Sequence, residues 1–355
     1  MMGQWRHLLK KSIVHPSQLT ARFAGSTPGL EEVVRRYPML INPYYLGLIK
    51  EENDPIWRQA VPDARELTDT VCLEDPLAEE DLSPVPNLIH KYPDRVLFLV
   101  NSQCAMYCRF CTRKRKVGTK RMVINDETIR AGLDYIRRTP AVRDVLISGG
   151  DPLLLEDHRL DQLLAALRAI PTVEIIRIGS RVPCVLPMRV TRSLVAILKR
   201  YHPLYLNTHF NHPAELTPQA AQACGRLADA GIPLGCQTVL LRGVNDDVET
   251  MKRLMQGLLR IRVKPYYIFQ ADMTLGTDHF RTSIDTGLTI MRSLIGHTSG
   301  LAAPTYAIDA PGGGGKIPLL PDYILDQGRR RSNSGQRTVV FKNYCGTVCS
   351  YEDGG

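Results

Sequence analysis

At 355 residues, 44% of them hydrophobic, the chain has the length and apolar content for one large domain, or a large domain with a smaller appendage. Its formal net charge of +9 admits a polyanion partner, but the cations are dispersed, with local runs only at RKRK (113–116) and RRR (329–331), as on a solvated surface that also serves anionic cofactors. No apolar run reaches the roughly eighteen residues of a membrane span, the start MMGQWRHLLKKSIVHPSQL lacks a secretion signal's apolar stretch, and nine cysteines are too few for a disulfide framework in a chain this long; a soluble, cytoplasmic protein is expected.

In chain order, residues 1–90 carry helical patterns such as PGLEEVVRRYP and DPIWRQAV, joined by proline-rich segments up to DLSPVPNLIHKYP, and read as an N-terminal helical region. Over 91–300 short apolar runs alternate with amphipathic helices. The runs are VLFLV (96–100), DVLISGG (144–150), VEIIRIGS (173–180), LYLNTHF (204–210), IPLGCQTVLL (232–241) and VKPYYIFQ (263–270). Between them, ETIRAGLDYIRRT, DHRLDQLLAALRAI, TRSLVAILKRY and TPQAAQACGRLADAG predict helices, with Thr191 and Thr217 as N-caps and Gly231 just past a helix end. Six strand-then-helix units predict an α/β fold with a parallel sheet and helices outside, and periodicity fits a partial barrel as well as an open sheet. Residues 301–355 form a glycine-rich lysine loop and a tail.

Polar residues gather just past the strand ends: Asn101 to Cys104, Gly149 to Asp151, Ser180 and Arg181, His209 to His212, and Asp272. In parallel α/β architectures that rim is where chemistry is built. The densest signal there is CAMYCRFC, in which Cys104, Cys108 and Cys111 stand four and three apart. A structural zinc site wants four protein ligands, and no fourth Cys or His lies at motif spacing. A four-iron cluster on three cysteines leaves one iron free to chelate a small molecule. The spacing C-x3-C-x2-C after a strand resembles the radical S-adenosylmethionine (SAM) enzymes, in which that iron takes the amino and carboxylate groups of the methionine moiety. The same resemblance makes Gly149, Gly150 and Asp151 the glycine-rich strand end that meets the methionine ammonium.

The second outstanding stretch is PTYAIDAPGGGGKIP (304–318). It is no Walker A loop, because Ala310 stands at the first glycine position and Ile317 follows the lysine. Four glycines imply close backbone approach, and a lysine held there could form a Schiff base with a carbonyl cofactor. With HKYPDRVLFLV, CAMYCRFCTRKRK, LISGGDPLL, RIGSRVPCVLP, NTHFNHPAELT, VLLRGVND, KPYYIFQAD, GTDHFRT, GHTSGLAAPTYAIDAPGGGGK and IPLLPDY, the chain from about residue 40 to 325 resembles the lysine 2,3-aminomutase family. These are radical SAM isomerases that also use pyridoxal 5′-phosphate (PLP).

That resemblance implies a partial (β/α)6 barrel with an N-terminal helical appendage and a C-terminal PLP-binding segment. Cys104, Cys108 and Cys111 would hold a [4Fe-4S] cluster and Lys316 would hold PLP. Arg113 would pair with the substrate α-carboxylate, while Asp272 and Asp309 would bind its far ammonium. The charges agree with a cationic amino acid: an arginine fork suits a carboxylate, and two aspartates match a desolvated ammonium better than one. His209 and Gln237, after the fourth and fifth predicted strands, are candidate SAM or PLP contacts. Lys91, Tyr92 and Arg95 are candidates for the PLP phosphate, with core packing or a surface ion pair as the ordinary alternative for each.

The expected reaction moves the α-amino group of L-lysine to the β-carbon, with a one-electron reductant such as flavodoxin or ferredoxin, in a homo-oligomer. The alternatives are arginine or another cationic amino acid, a role in elongation factor P modification, or, from a different class, RNA modification by a radical SAM protein. Retention of both aspartates points to free lysine. The chain departs from long family members in lacking their zinc-binding cysteines: Asp246 and Asp247 follow Asn245, and the tail offers only Cys345 and Cys349. Phe110 stands where many members have histidine.

Overall fold

Each of the six apolar runs forms a strand of one sheet in the computed structural model, which describes residues 4–19, 23, 29–326 and 337–353. These are β2 (Arg95–Asn101), β3 (Asp144–Gly149), β4 (Ile175–Gly179), β5 (Leu204–Thr208), β6 (Leu234–Leu240) and β7 (Lys264–Gln270). A seventh parallel strand, β8 (Thr305–Ala310), extends the series. The edges are antiparallel: β1 (Leu88–Tyr92) precedes β2, and β9 (Gly315–Pro318) folds back on β8. The nine strands lie in strict chain order, which settles the choice left open by periodicity: a nearly closed barrel of sequential parallel strands with helices outside. The sheet runs from Leu88 to Pro318, so the lysine loop is part of the barrel wall.

The strand faces differ in burial, and the difference places the site. Val96, Phe98, Val145, Ile147, Ile176, Ile178, Leu204 and Leu206 are buried in one core with Leu133, Ile136, Leu160, Leu164, Leu194, Leu198 and Leu227 of the outer helices. On the opposite, inner face Ser148, Arg177, Asn207, Gln237 and Phe269 are only half-buried. The helices begin as their caps dictate: Thr191 and Thr217 accept hydrogen bonds from the Leu194 and Ala220 amides, and Asp247 caps Val248–Arg260. Gly231 follows Pro218–Asp229 with a φ of 76°.

The described residues of the N-terminal region include four short α-helices (Gln4–Lys10, Leu30–Arg36, Pro43–Leu46 and Pro55–Ala60) with long joints. Its Trp5, Val33, Tyr45, Ile56 and Trp57 belong to the barrel's own core. The tail adds a small antiparallel sheet of β10 (Ile324–Asp326), β11 (Arg337–Lys342) and β12 (Val348–Asp353). Cys345 and Cys349 are exposed, in its last turn and on β12. Among the described residues no helix is long and apolar enough to cross a membrane. The RRR run at 329–331 lies outside the described residues.

Candidate active site

The three cysteines sit in the irregular loop after β2, and the N-terminal region supplies what that loop lacks in secondary structure. The Tyr107 and Arg109 amides donate to the carbonyls of Leu40 and Gln59, both at 2.9 Å, and Asn42 Nδ2 donates to Ala105 O at 3.0 Å. Beneath the loop, Glu66 is fully buried. It accepts from Arg109 Nε at 2.9 Å and Nη2 at 2.5 Å, and from Lys114 Nζ at 2.9 Å. Burial alone would raise the Glu66 carboxyl; the charges of Arg109 and Lys114 outweigh it and hold it below its ordinary range. Burial brings Lys114 down to about 8.

The thiols lie within electrostatic reach of one another. Burial pushes Cys104 well up, with further rises from the negative charge of Cys111, Asp151 and Cys108, and Cys111 is pushed up to about 11 by burial and then by Cys108. Three thiolates so placed need a cationic centre among them. Among the described residues no three His, Cys, Asp or Glu side chains converge tightly enough for a single ion. A multi-iron cluster spreads its ligands further apart, and the donors around the sulfurs suit it: Arg181 Nη1 donates to Cys108 Sγ at 2.8 Å and the Arg113 amide to Cys111 Sγ at 3.4 Å.

Gly149 and Gly150 are required by a close approach of the backbone. A Cβ on either would lie 2.3 Å from a carbonyl oxygen of the cysteine loop's entry, that of Asn101 or of Gln103. The close approach is sealed by Gly150 N–H to Asn101 O at 2.5 Å and Asp151 N–H to Gln103 O at 2.6 Å. The Asp151 carboxylate accepts from Ser180 Oγ and from the amides of Leu153, Arg181 and Val182, and so ties the ends of β3 and β4 together. Burial still raises it to about 6.

Arg181, a rim residue to which no role was attached above, proves central. Besides Cys108 it reaches Gln59 Oε1 at 2.6 Å and the buried Glu215 Oε1 at 2.8 Å, and it lies over the Phe110 ring at 5.1 Å. Phe110 stacks in turn on His209, with centroids 5.5 Å apart and planes 23° apart. Burial, and then the Arg181 charge, lower His209 to about 3, and its buried Nε2 has no hydrogen-bond partner among the described residues. Gln237 lies within β6 rather than past its end, on the half-buried inner face.

Across the barrel, the hairpin of β8 and β9 pairs Asp309 with Lys316 in register. Lys316 Nζ is 2.8 Å from Asp309 Oδ2 and lies 5.0 Å above the Phe269 ring. Lys91 Nζ approaches Asp309 Oδ1 at 3.5 Å, Tyr92 OH accepts the Lys316 amide at 3.0 Å, and the Arg95 guanidinium stacks on the Tyr92 ring at 3.9 Å. The trio from β1 and β2 therefore converges on the lysine loop. Asp272, just past β7, borders the same cavity of about 250 Å³ as Asp309. Burial and then the Asp309 charge raise Asp272 to about 7, against the pull of Lys316 and Lys91.

The acidic run DPLAEED (75–81) joins the two halves. Glu79 accepts from Arg113 Nε at 2.9 Å and Nη2 at 2.5 Å, while Asp75 and Glu80 take Arg115 and Glu80 takes Lys116. With Lys114 on Glu66, every cation of RKRK is paired within the chain, which removes that run as a polyanion surface. Farther along, Pro76 O accepts the Gly312 amide, and a Cβ on Gly313 would lie 2.8 Å from Leu82 Cδ1. Glu66 and Glu79 were not anticipated; for Glu79 the available signal was charge complementarity between DPLAEED and RKRK.

With this geometry in view, comparison with known proteins is decisive. Residues 99–255 match the radical SAM superfamily and residues 291–354 match the model for lysine-2,3-aminomutase. The L-lysine 2,3-aminomutase of Clostridium subterminale is 52% identical over 92% of this chain and 77% of its own length. That of Acetoanaerobium sticklandii is 49% identical over 99% of this chain and 84% of its own. The chain belongs to the lysine 2,3-aminomutase family. Within it, the glutamate 2,3-aminomutase of Clostridioides difficile is 47% identical over 91% of this chain and 76% of its own, so substrate choice must be argued from the site.

Proposed function

We propose that this family member is an L-lysine 2,3-aminomutase, moving the α-amino group of lysine to the β-carbon to give β-lysine. The observation that carries the substrate is the pair of carboxylates, Asp272 and Asp309, on one cavity beside Lys316. A glutamate side chain would bring a third negative charge to that place; a lysine ammonium neutralises it.

Bound in this site, a [4Fe-4S] cluster would supply one electron to SAM, and PLP would supply a π-system able to spread an unpaired electron. Cys104, Cys108 and Cys111 would hold the cluster, with Arg181 and the Arg113 amide donating to the sulfurs. Gly149 and Gly150 set the cysteine loop against β3, and Asp151 fixes β4 beside it, while His209 offers its buried Nε2. Lys316 would anchor PLP, and Asp309 Oδ2, 2.8 Å from Nζ, is placed to take a proton from it. Lys91 and Arg95 would face the phosphate, with Tyr92 positioning both the loop and Arg95. Arg113 would hold the substrate carboxylate, and Gln237 would face the cofactors from the barrel wall. The protein thus orients the groups.

The cavity of about 250 Å³ behind the carboxylates also has room for a guanidinium, so arginine is the second reading. We place the enzyme in the cytoplasm, as a homo-oligomer served by a one-electron reductant such as flavodoxin or ferredoxin. The test is anaerobic: reconstitute with iron, sulfide and PLP, add SAM, dithionite and L-lysine, and look for β-lysine by mass spectrometry after derivatisation. Product that requires every cofactor supports the proposal. Product from arginine but not from lysine transfers it to the longer cation, and none from either, with cluster and PLP both bound, rejects it.

A further inference from the structure

Arg113 does not stand free at the rim. Its Nε and Nη2 both donate to Glu79, at 2.9 and 2.5 Å, in a fork-to-fork pair whose two side chains are 14% and 7% exposed. The carboxylate thus holds one edge of the guanidinium, leaving Nη1 and the second N–H of Nη2 on the adjoining edge. A substrate carboxylate can reach Arg113 by displacing Glu79 or by taking that remaining edge. Displacement would strand a buried carboxylate without a partner, at a cost well above what exchanging one carboxylate for another returns. Glu79 is also held in place by its surroundings. Its own carbonyl accepts from Ser83 Oγ at 2.5 Å, Asp75 and Glu80 on either side are paired with Arg115 and Lys116, and Pro76 O takes the Gly312 amide of the lysine loop.

We propose that Glu79 is a positioning residue for substrate selection: it fixes the Nε–Nη2 edge of Arg113 so that the Nη1–Nη2 edge receives the α-carboxylate of the amino acid. The proposal rests on the assignment of Arg113 to that carboxylate. It makes the acidic run a specificity element acting through the arginine, with no contact of its own to the substrate, and it couples the carboxylate end of the site to the lysine loop through one short segment.

The test compares two ligands of the PLP-loaded, cluster-loaded protein without reductant: L-lysine, and 1,5-diaminopentane, which lacks only the carboxylate. Binding is followed by the cofactor's absorbance. Glu79→Gln, which cannot accept from both Nε and Nη2, and Glu79→Ala should each weaken lysine about tenfold, roughly the worth of one charge-assisted contact, and leave diaminopentane unchanged. Glu79→Asp should recover part of the loss. Equal weakening of both ligands would mean that the segment merely supports the fold and would overturn the proposal. So would lysine affinity within about twofold of the parent in both variants while Arg113→Ala still loses lysine selectively. If Arg113→Ala itself spares lysine, the assignment of Arg113 fails, and this inference fails with it.

Discussion

The two loops that meet in this barrel are held in opposite ways. The cysteine loop rests on a buried, fully paired base: Glu66 takes both Arg109 and Lys114, and backbone bonds from residues 40 to 59 complete the support. The lysine loop hangs on an edge hairpin whose charges lie nearer solvent, with Lys316 a third exposed and Asp309 shared between Lys316 and Lys91. The first arrangement is built once, during folding. The second consists of groups that, in the proposed function, exchange partners when cofactor and substrate arrive. Damage to the first should appear as lost structure, and damage to the second as lost chemistry on an intact scaffold.

The sharpest break between them is Lys316→Ala, expected to abolish turnover while leaving the cluster's visible absorbance intact; activity at the parental level would remove the anchoring role. On the other side, Glu66→Ala strands two buried cations and should cost about 3–5 kcal/mol of stability. Denaturant unfolding and iron content should fall together, and a normal iron content would show that the base beneath the loop is dispensable. Asp309→Asn should weaken lysine about tenfold in KM or kcat, roughly what one lost charge-assisted contact is worth, without moving SAM affinity measured by calorimetry.

A gentler probe is pH. Asp272, raised to about 7, is largely protonated below that value and, in its proposed role, must release its proton to meet an ammonium. Lysine affinity should therefore fall by up to about tenfold per unit as pH drops below about 7, and Asp272→Asn should flatten the profile. The sign for folding is the reverse. The free protein binds this proton more tightly than the unfolded chain does, so the carboxyl's contribution to stability is lost as pH rises from the ordinary carboxylate range to about 7. A melting series should find Asp272→Asn most stabilising above that value.

The barrel was legible because its strands bury one face in regular alternation, so all six inner units stood out. β8 did not, since Thr305–Ala310 is flanked by Pro304 and Pro311 and overshadowed by the glycines that follow. Lys316, Asp309 and Asp272 were found through motif resemblance; the register that sets the first two opposite each other is a property of the hairpin. The close approach required by Gly149 and Gly150 was foreseeable, but its target is the backbone of Asn101 and Gln103. Glu66 was invisible because a carboxylate in a polar joint carries no mark of its partner until the N-terminal segments close over RKRK, and Glu79 showed only as one acid of a run complementary to that cluster.

One contact described above bears on how such a site comes into being. The Lys316 amide and the Tyr92 hydroxyl are 224 residues apart in the chain, yet they join the barrel's first strand to its last. Contacts of that separation carry a large entropic cost and form late, after the intervening strand-and-helix units have wound into place. The hairpin that carries Lys316, the proposed anchor for PLP, is therefore expected among the last features to assemble. A nascent or partly unfolded chain would expose the lysine without the phenol, the stacked guanidinium or the facing carboxylates, and if Lys316 holds PLP as proposed, spectroscopic capture of PLP would certify that the whole barrel has closed.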